Sequence, residues 1–225
     1  MYRQWGSVNE GNPRVTSALS GEPVRVVVVD SGVGNIPNAV RGLARAGAEV
    51  VLSDDAAVIA RAERVVLPGV GAFPAAMQRL RDRGLDVAIR AAASCGVPVL
   101  GICLGHQLLF DRSEEFGNTA GLGLLHGVVQ ALPPVARVPH MGWCELSLAK
   151  EDTLVAGLAR GAWMYFVHSF AARASNGDLL ATVRFGAHDV CAVARRGNVC
   201  GAQFHPEKSG TAGARFLANF LGLSS

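Results

Sequence analysis

Lysine and long apolar runs are both scarce in this sequence of 225 residues. Lys150 and Lys208 are the only lysines, so the formal net charge of +3 comes almost wholly from arginine, and the arginines are scattered. Without a basic cluster, a nucleic-acid-binding surface is unsupported. No apolar run approaches the ~18 residues that a membrane-spanning helix needs. We therefore expect a soluble globular protein that binds neither nucleic acid nor membrane.

Paired cysteines and closely spaced metal ligands are also missing. The five cysteines form no CxxC pair, and the six histidines have no tight ligand spacing. An odd cysteine count without a secretory signal favours the reducing cytoplasm, and we predict neither a metal nor a cofactor. Cys95, Cys191 and Cys200 are interpreted as packing residues.

The beginning of the chain differs in composition from the rest. Residues 1–22 are polar and rich in Gly, Ser, Asn and Pro, without the charged start and apolar stretch of a signal peptide. They predict a loosely ordered extension. Residues 23–225 contain no repeat and no low-complexity linker, so they predict a single α/β domain.

The first half of that domain alternates short β-branched runs with stretches of helical spacing. Strands that are apolar on both faces, alternating with helices, predict a parallel sheet that helices cover on both sides. The predicted strands are 24–29, 49–52, 64–67 and 97–102. The predicted helices are 35–46, 73–81, 85–94 and 104–111.

The second half has short runs joined by turns rich in Gly, Asn and Pro, which predict an antiparallel or mixed sheet. A last helix is predicted at 212–221, with Ser209 or Thr211 as its N-cap. The predicted strands are 128–132, 144–148, 163–167, 179–184, 190–195 and 199–203.

The segment Gly101-Ile-Cys103-Leu-Gly105 has the spacing of a nucleophile elbow, with cysteine in place of serine. In such an elbow a buried strand turns sharply into a helix, and the nucleophile lies at the turn. We expect the helix N-terminus to favour the thiolate of Cys103, and the backbone N–H of Leu104 to serve as an oxyanion donor. The alternative is a buried cysteine at the end of a strand.

A second segment, Gln203-Phe-His205-Pro-Glu207, supplies the groups that a cysteine nucleophile needs. His205 is predicted at the end of a strand that Pro206 stops, and Glu207 can fold back to accept from its imidazole. The three residues Cys103, His205 and Glu207 then form a nucleophile, a base and an orienting carboxylate.

Together the two segments resemble class I glutamine amidotransferases, and further segments resemble the glutaminase subunit of imidazole glycerol phosphate synthase, over about residues 24–222. The resemblance implies a flavodoxin-like α/β fold with a central, mostly parallel sheet flanked by helices and a smaller antiparallel sheet. The further segments are Asp30-Ser-Gly-Val-Gly-Asn35, Pro68-Gly-Val-Gly-Ala-Phe73, Pro139-His-Met-Gly-Trp143, Tyr165-Phe-Val-His-Ser-Phe170 and His205-Pro-Glu-Lys-Ser209.

The resemblance also implies roles for individual residues. Cys103 attacks the carboxamide of glutamine, and His205 protonates the departing ammonia before water cleaves the thioester. The loop with Val70 and Gly71 completes the oxyanion hole, and it reaches its competent form only when the partner holds its own substrate. The residues implied to bind glutamine are Gly71, Gln107, Glu115, Ser169 and Phe170. For Glu115 the alternative is a solvated charge at a helix end.

The implied partner is a (βα)8-barrel cyclase subunit in a heterodimer. It would join the ammonia to phosphoribulosyl formimino-AICAR, giving imidazole glycerol phosphate and AICAR in histidine biosynthesis. The residues expected at this interface and its ammonia conduit are His140, Met141, Trp143 and His168.

Three positions depart from the family pattern: Ser31 replaces an aromatic residue, His106 a methionine and Cys144 an asparagine. Since the triad is intact, activity is expected. Three other readings remain open: a paralogue that feeds another acceptor, a stand-alone cysteine hydrolase, and a non-catalytic subunit. A dinucleotide site after Asp30 is excluded, because Pro37 takes the place of the third glycine.

Overall fold

A computed structural model describes residues 23–32 and 35–223. The extension predicted at 1–22 lies outside the described residues. Within them, none of the helices is both long and apolar enough to cross a membrane.

Among the described residues, the larger of two sheets has nine strands, five of them parallel. The parallel strands are β1 (Val24–Val29), β2 (Ala48–Ser53), β3 (Val65–Gly69), β4 (Val99–Cys103) and β13 (Val199–Ala202). The antiparallel strands are β8 (His140–Leu148), β9 (Trp163–His168), β11 (Leu179–Phe185) and β12 (His188–Arg196). The spatial order is β2-β1-β3-β4-β13-β12-β11-β8-β9.

The smaller sheet has four strands in the order β10-β7-β5-β6. They are β5 (Phe110–Ser113), β6 (Thr119–Ala120), β7 (Leu125–Ala131) and β10 (Phe170–Ala174). β7 pairs antiparallel with β10 and parallel with β5. A large sheet with helices and a second, smaller sheet confirm the predicted fold class. Both sheets are mixed, however: only the half of the larger sheet from β2 to β13 is parallel, and the smaller sheet is not purely antiparallel.

Helices pack on both faces of the parallel strands, because alternate residues of each strand are apolar on opposite sides. On one face Val26 and Val28 pack in a cluster with Leu43 and Phe216; on the other, Val27 lies in a separate cluster. The helices are α1 (Ile36–Arg45), α2 (Ala56–Ala60), α3 (Phe73–Asp82), α4 (Leu85–Ser94), α5 (Leu104–Leu108) and α6 (Gly210–Leu221).

The helix predicted at 104–111 is wrong in its second half, since α5 ends at Leu108 and β5 begins at Phe110. The backbone carbonyl of Leu109 accepts from the N–H groups of Leu124 and Leu125, which draws the chain into the smaller sheet. The apolar run Leu108–Phe110 fits a buried strand as well as a helix, so sequence spacing alone cannot separate them. The short elements α2, β5, β6 and β10 were not predicted.

Candidate active site

Cys103 lies at the junction of β4 and α5 with a backbone conformation that few non-glycine residues adopt, φ 56° and ψ −109°. The residues two positions before and two positions after Cys103 must be glycine for steric reasons. A Cβ atom on Gly101 would lie 2.5 Å from the carbonyl oxygen of Gly105, and one on Gly105 would overlap the carbonyl oxygen of Leu67. The predicted elbow is therefore present. Because α5 has only five residues, its dipole acts on the sulfur less than a long helix would.

His205 follows β13, and its backbone N–H donates to the carbonyl oxygen of Tyr165 at 2.9 Å. The next residues form a 3-10 helix, Pro206–Lys208, which turns Glu207 back towards the imidazole. Oε1 of Glu207 lies 2.8 Å from Nδ1 of His205, and both side chains are buried. The structure thus forms the predicted contact between the imidazole of His205 and the carboxylate of Glu207.

The imidazole of His205 is polarised from both sides. Burial lowers the pKa of His205, but interactions with the Cys103 sulfur and with the Glu207 carboxylate outweigh it and raise the pKa to about 9. Nε2 is buried and makes no hydrogen bond within residues 23–32 and 35–223. In sites without substrate, catalytic hydrogen bonds are often long and tighten only when the substrate binds. Nε2 is therefore free to exchange a proton with the sulfur or with a leaving group.

Two neighbouring residues fix the His205–Glu207 pair. Ser209 occupies the N-cap position of α6, as predicted. Its side chain makes no capping hydrogen bond, however, so the predicted capping role is wrong. Instead its Oγ donates to the carbonyl oxygen of His205 at 2.6 Å and accepts from the N–H of Tyr165 at 3.0 Å. In α1, a Cβ atom on Gly42 would lie 2.9 Å from Cβ of Glu207, so a glycine lets the helix pass close to the carboxylate.

A cavity of about 550 Å³ opens in front of Cys103 and His205. All of the residues predicted for the oxyanion hole and for glutamine binding line it, whereas Glu207 lies behind His205. Its walls are Val70, Gly71, Leu104, Gln107, Glu115, Phe116, Pro139, Val167, His168, Ser169 and Phe170. A cavity of this size accommodates a small amino acid.

Glu115 is buried and is not the solvated charge that was the alternative. Its Oε2 accepts from the backbone N–H of Phe73 at 2.7 Å, in the first turn of α3, where a helix dipole stabilises negative charge. Its Oε1 makes no hydrogen bond to the part of the chain that the structure describes. The carboxylate is thus held in place with one oxygen left for a cationic ligand.

A polar network that the sequence did not predict lies behind the cavity. Nε2 of Gln107 donates to the carbonyl oxygen of Phe170 and to Oε1 of Gln203, both at 2.9 Å. The same carbonyl lies 2.9 Å from Nδ1 of His168, whose Nε2 lies 3.0 Å from Nδ1 of His140. The available signal was weak: Gln203 precedes His205 by two residues, and such residues of an extended segment share a face.

His168 and His140 are neutral in this network. Burial is the main cause that lowers the pKa of His168 to about 4, and burial also lowers the pKa of His140. Because a carbonyl only accepts, Nδ1 of His168 carries the proton and its Nε2 accepts from His140. Nε2 of His140 then accepts from the thiol of Cys144 at 3.1 Å. Cys144, which replaces the asparagine of the family pattern, thus makes a polar contact within this chain.

Of the predicted interface residues, Met141 and Trp143 are 63% and 50% exposed, whereas His140 and His168 are buried beneath them. Trp143 packs edge-on against Tyr165, with ring centroids 6.1 Å apart, and the neighbouring Trp163 is 56% exposed. Large apolar side chains exposed together are typical of a protein–protein contact. The last two strands in the spatial order of the sheet, β8 and β9, therefore carry an apolar surface, and the two histidines do not reach it.

His106, the departure within the elbow, is fully buried, and a Cβ atom on Gly201 would overlap its Nδ1. Burial, with a smaller contribution from His168, lowers the pKa of His106 to about 3. As the pH falls below about 6.5, the unfolded chain therefore takes up a proton that the folded chain refuses, so stability is lost.

We expect His106→Met to reduce this acid sensitivity. Between pH 7 and pH 5 the free energy of unfolding of the wild type should fall by about 2 kcal/mol more than that of the variant. Urea unfolding at the two pH values measures the difference, with His188→Met at an exposed position as the matched control. Equal losses in His106→Met and the wild type would contradict the assignment.

Comparisons with known proteins identify the family of this chain. Residues 27–222 match the glutamine amidotransferase class-I family. The chain is 42% identical over 198 residues to imidazole glycerol phosphate synthase subunit HisH of Bacillus cytotoxicus, which covers 88% of this chain and 94% of that protein. It is 46% identical over 197 residues to the same subunit of Symbiobacterium thermophilum, covering 87% and 92%.

Solved structures show the same fold at lower identity. PurLQS from Thermotoga maritima superposes with a TM-score of 0.67 at 20% identity, covering 89% of this chain and 98% of that one. The glutaminase domain of Trypanosoma brucei CTPS, solved with bound acivicin, gives a TM-score of 0.64 at 15% identity, covering 88% and 92%. By its match to the family and its identity to these relatives, the chain belongs to the class I glutamine amidotransferases and, within them, to the HisH subunits of imidazole glycerol phosphate synthase.

Proposed function

We propose that the chain hydrolyses glutamine to glutamate and ammonia with Cys103, His205 and Glu207, and passes the ammonia to the cyclase subunit of imidazole glycerol phosphate synthase. There it would be used with phosphoribulosyl formimino-AICAR to make imidazole glycerol phosphate and AICAR for histidine biosynthesis. The observation that carries the proposal is that Cys103 and His205 line the same cavity, while Glu207 holds the imidazole of His205 from behind.

In the first step the sulfur of Cys103 bonds to the carboxamide carbon of glutamine, and the carbon–nitrogen bond breaks. His205, held as a proton carrier by Glu207, gives its Nε2 proton to the nitrogen, which leaves as ammonia. In the second step His205 takes a proton from water, the hydroxyl bonds to the same carbon, and the sulfur leaves. Acid–base help of this kind is worth about 10²–10⁴ in rate.

Negative charge develops on the carboxamide oxygen in both steps, and backbone N–H groups can stabilise it. The candidates are Leu104, directly after the nucleophile, and the loop of Val70 and Gly71, which lines the same cavity. Gly71 has φ 98°, in the region that favours glycine, so this loop can hold a conformation that other residues rarely adopt.

Glutamine is recognised by its charged end. Oε1 of Glu115 would accept from the α-ammonium group, and backbone around Ser169 and Phe170 would bind the α-carboxylate. Gln107 uses both of its amide hydrogens inside the protein, so only its Oε1 remains for the substrate. This assigns Gln107 an accepting role towards glutamine, with its donors committed to the cavity wall.

The exposed face of β8 and β9, with Met141 and Trp143, is the proposed contact with the cyclase. Ammonia released into water is mostly protonated and is then no longer a nucleophile, so transfer requires a docked partner with a closed path. We propose a (βα)8 barrel as that partner, and the neutral His140 and His168 beneath the surface would not donate a proton to the ammonia.

Glutaminase activity should depend on the partner. Alone, the chain is expected to release glutamate slowly; with the cyclase and its ribonucleotide, the rate should rise by about 10²–10³, the value of one oxyanion donor. Glutamate release measured with the chain alone, with cyclase, and with cyclase plus ribonucleotide tests this expectation.

Each outcome separates one reading from the others. A full rate without the cyclase would overturn the proposal in favour of a stand-alone hydrolase. Stimulation by a different acceptor enzyme, with none by the cyclase, would identify a paralogue. No glutamate under any condition, with no labelling of Cys103 by a glutamine-analogue alkylating agent, would identify a non-catalytic subunit.

A further inference from the structure

Gln203 is a fully buried amide in direct contact with the proposed nucleophile. Its side chain has no exposed surface, and its Nε2 lies 3.8 Å from the sulfur of Cys103. It does not line the cavity, so it has no contact with a ligand there. We infer that Gln203 stabilises negative charge on the Cys103 sulfur, and is thus a further catalytic residue of the glutaminase reaction. The inference rests on the proposed role of Cys103.

The orientation of the amide follows from a backbone group. The carbonyl of Phe170 can only accept, so the amide of Gln107 must present its NH₂ group to it. The second hydrogen of that NH₂ group points to Gln203, which must therefore present its oxygen to Gln107. The NH₂ group of Gln203 is left facing the sulfur. A flipped amide at Gln203 would place two donors against each other and an oxygen against the sulfur.

A donor at this position acts on both chemical steps. The sulfur is negatively charged just before it attacks, and again when water displaces it from the thioester. Hydrogen bonds to an ionised acceptor are stronger than bonds to a neutral one, so the Gln203 N–H favours both charged states over the neutral thiol. The short helix α5 supplies only a small dipole, so side-chain donors must provide most of the stabilisation of the charged sulfur.

The other titratable groups around the sulfur do not replace this contact. His205, backed by Glu207, is the proton carrier on the cavity side. His168 and His106 are held neutral by burial, and Glu115 across the cavity carries negative charge that disfavours a thiolate. Gln203 is therefore a neutral donor whose effect on the sulfur is the same across the working pH range.

Alkylation of Cys103 by iodoacetamide tests the inference without glutamine or a partner. The variant Gln203→Met removes the donor with little change in volume, and Gln203→Glu replaces it with an acceptor. Peptide mass spectrometry follows each cysteine separately. The exposed Cys95 gives the reference rate, and the buried Cys191 and Cys200 report unfolding, because they react only when the core opens.

We expect Cys103 of Gln203→Met to react about tenfold more slowly relative to Cys95, as for the loss of one hydrogen bond to a charged group. Gln203→Glu should be slower still. In the glutaminase assay, kcat of Gln203→Glu should fall with KM unchanged, since this variant keeps the acceptor for Gln107 and its side chain does not line the cavity.

A Cys103 rate within about twofold of the wild type, in a variant whose Cys191 and Cys200 stay unreactive, would overturn the inference. If Gln203→Met unfolds, Gln203→Glu decides, since it keeps the acceptor for Gln107. A slower Cys103 in a protein that releases no glutamate with the cyclase would support the inference while refuting the proposed function. An unchanged alkylation rate of Cys103, in a variant that still releases glutamate with the cyclase, would overturn the inference and support the proposed function.

Discussion

Replacing Cys103 with alanine should abolish glutamate release, even with the cyclase and its ribonucleotide present. The backbone conformation at the elbow, with φ 56°, is imposed by the glycines on either side and does not depend on the sulfur. The variant should therefore fold and leave the cavity intact, but it has no atom to form the thioester. Loss of the nucleophile costs on the order of 10⁶ in kcat in a triad enzyme, and the coupled assay should fall to background.

Two controls separate lost chemistry from lost structure. The Cys103→Ala complex should still make imidazole glycerol phosphate from added ammonium salt, because in the proposed function the cyclase consumes ammonia itself. Cys191→Ala, which removes a buried thiol outside the cavity, should retain glutaminase activity. Glutamate release by Cys103→Ala at more than a few per cent of the wild-type rate would mean that another group is the nucleophile.

Local sequence signals sufficed for the parallel half of the sheet and for the elbow. β1 occupies the predicted residues 24–29, because five of its six residues are valine and both faces are covered. The elbow was predictable because Gly101 and Gly105 are needed by backbone sterics alone. His205 and Glu207 were predictable as a pair because a proline after a strand forces the tight turn that brings them together.

Elements that depend on distant pairing were not predictable. Residues 104–111 were predicted as one helix because their leucines suit helical spacing, yet Phe110 pairs with Leu125 in the smaller sheet. β10 follows β9 after one residue and crosses to that sheet, a change of direction with no glycine or proline to mark it. In both cases the partner strand, and not the local residue preference, decides the structure.

The hydrogen bond between Gln107 and Gln203 was not predicted for the same reason, although Gln107 itself was a predicted glutamine-binding residue. Gln203 and Gln107 are 96 positions apart in the chain, and only the folded structure shows that their amides meet. His140 was predicted at the partner surface, yet its ring is buried against Phe166, with ring centroids 5.5 Å apart. The family resemblance placed Met141 and Trp143 at the same interface as His140, and these two side chains are exposed. A shared motif does not set how deeply each of its side chains is buried.

Glu207→Gln should reduce kcat by about 10³–10⁴, because an uncharged amide no longer stabilises the protonated His205 or fixes its tautomer. The carboxylate is buried, and its Oε2 has no hydrogen-bond partner among the described residues, so the amide is isosteric and should be accommodated. Glutaminase assays with the cyclase measure the effect, with the exposed Glu151→Gln as the matched control.

The same variant has a pH signature in stability. Since the pKa of His205 is raised from its ordinary value to about 9, its interactions stabilise the fold fully below about pH 6.5 and are lost as the pH rises through about 9. Removing the charge of Glu207 should therefore cost more stability near pH 6 than near pH 9.5, and denaturant unfolding at both values measures the difference. A deficit that is the same at both pH values, together with a wild-type kcat, would mean that the carboxylate neither charges nor orients the imidazole. Glu207 would then be a packing residue, and the interaction with Cys103 alone would have to keep His205 protonated and oriented.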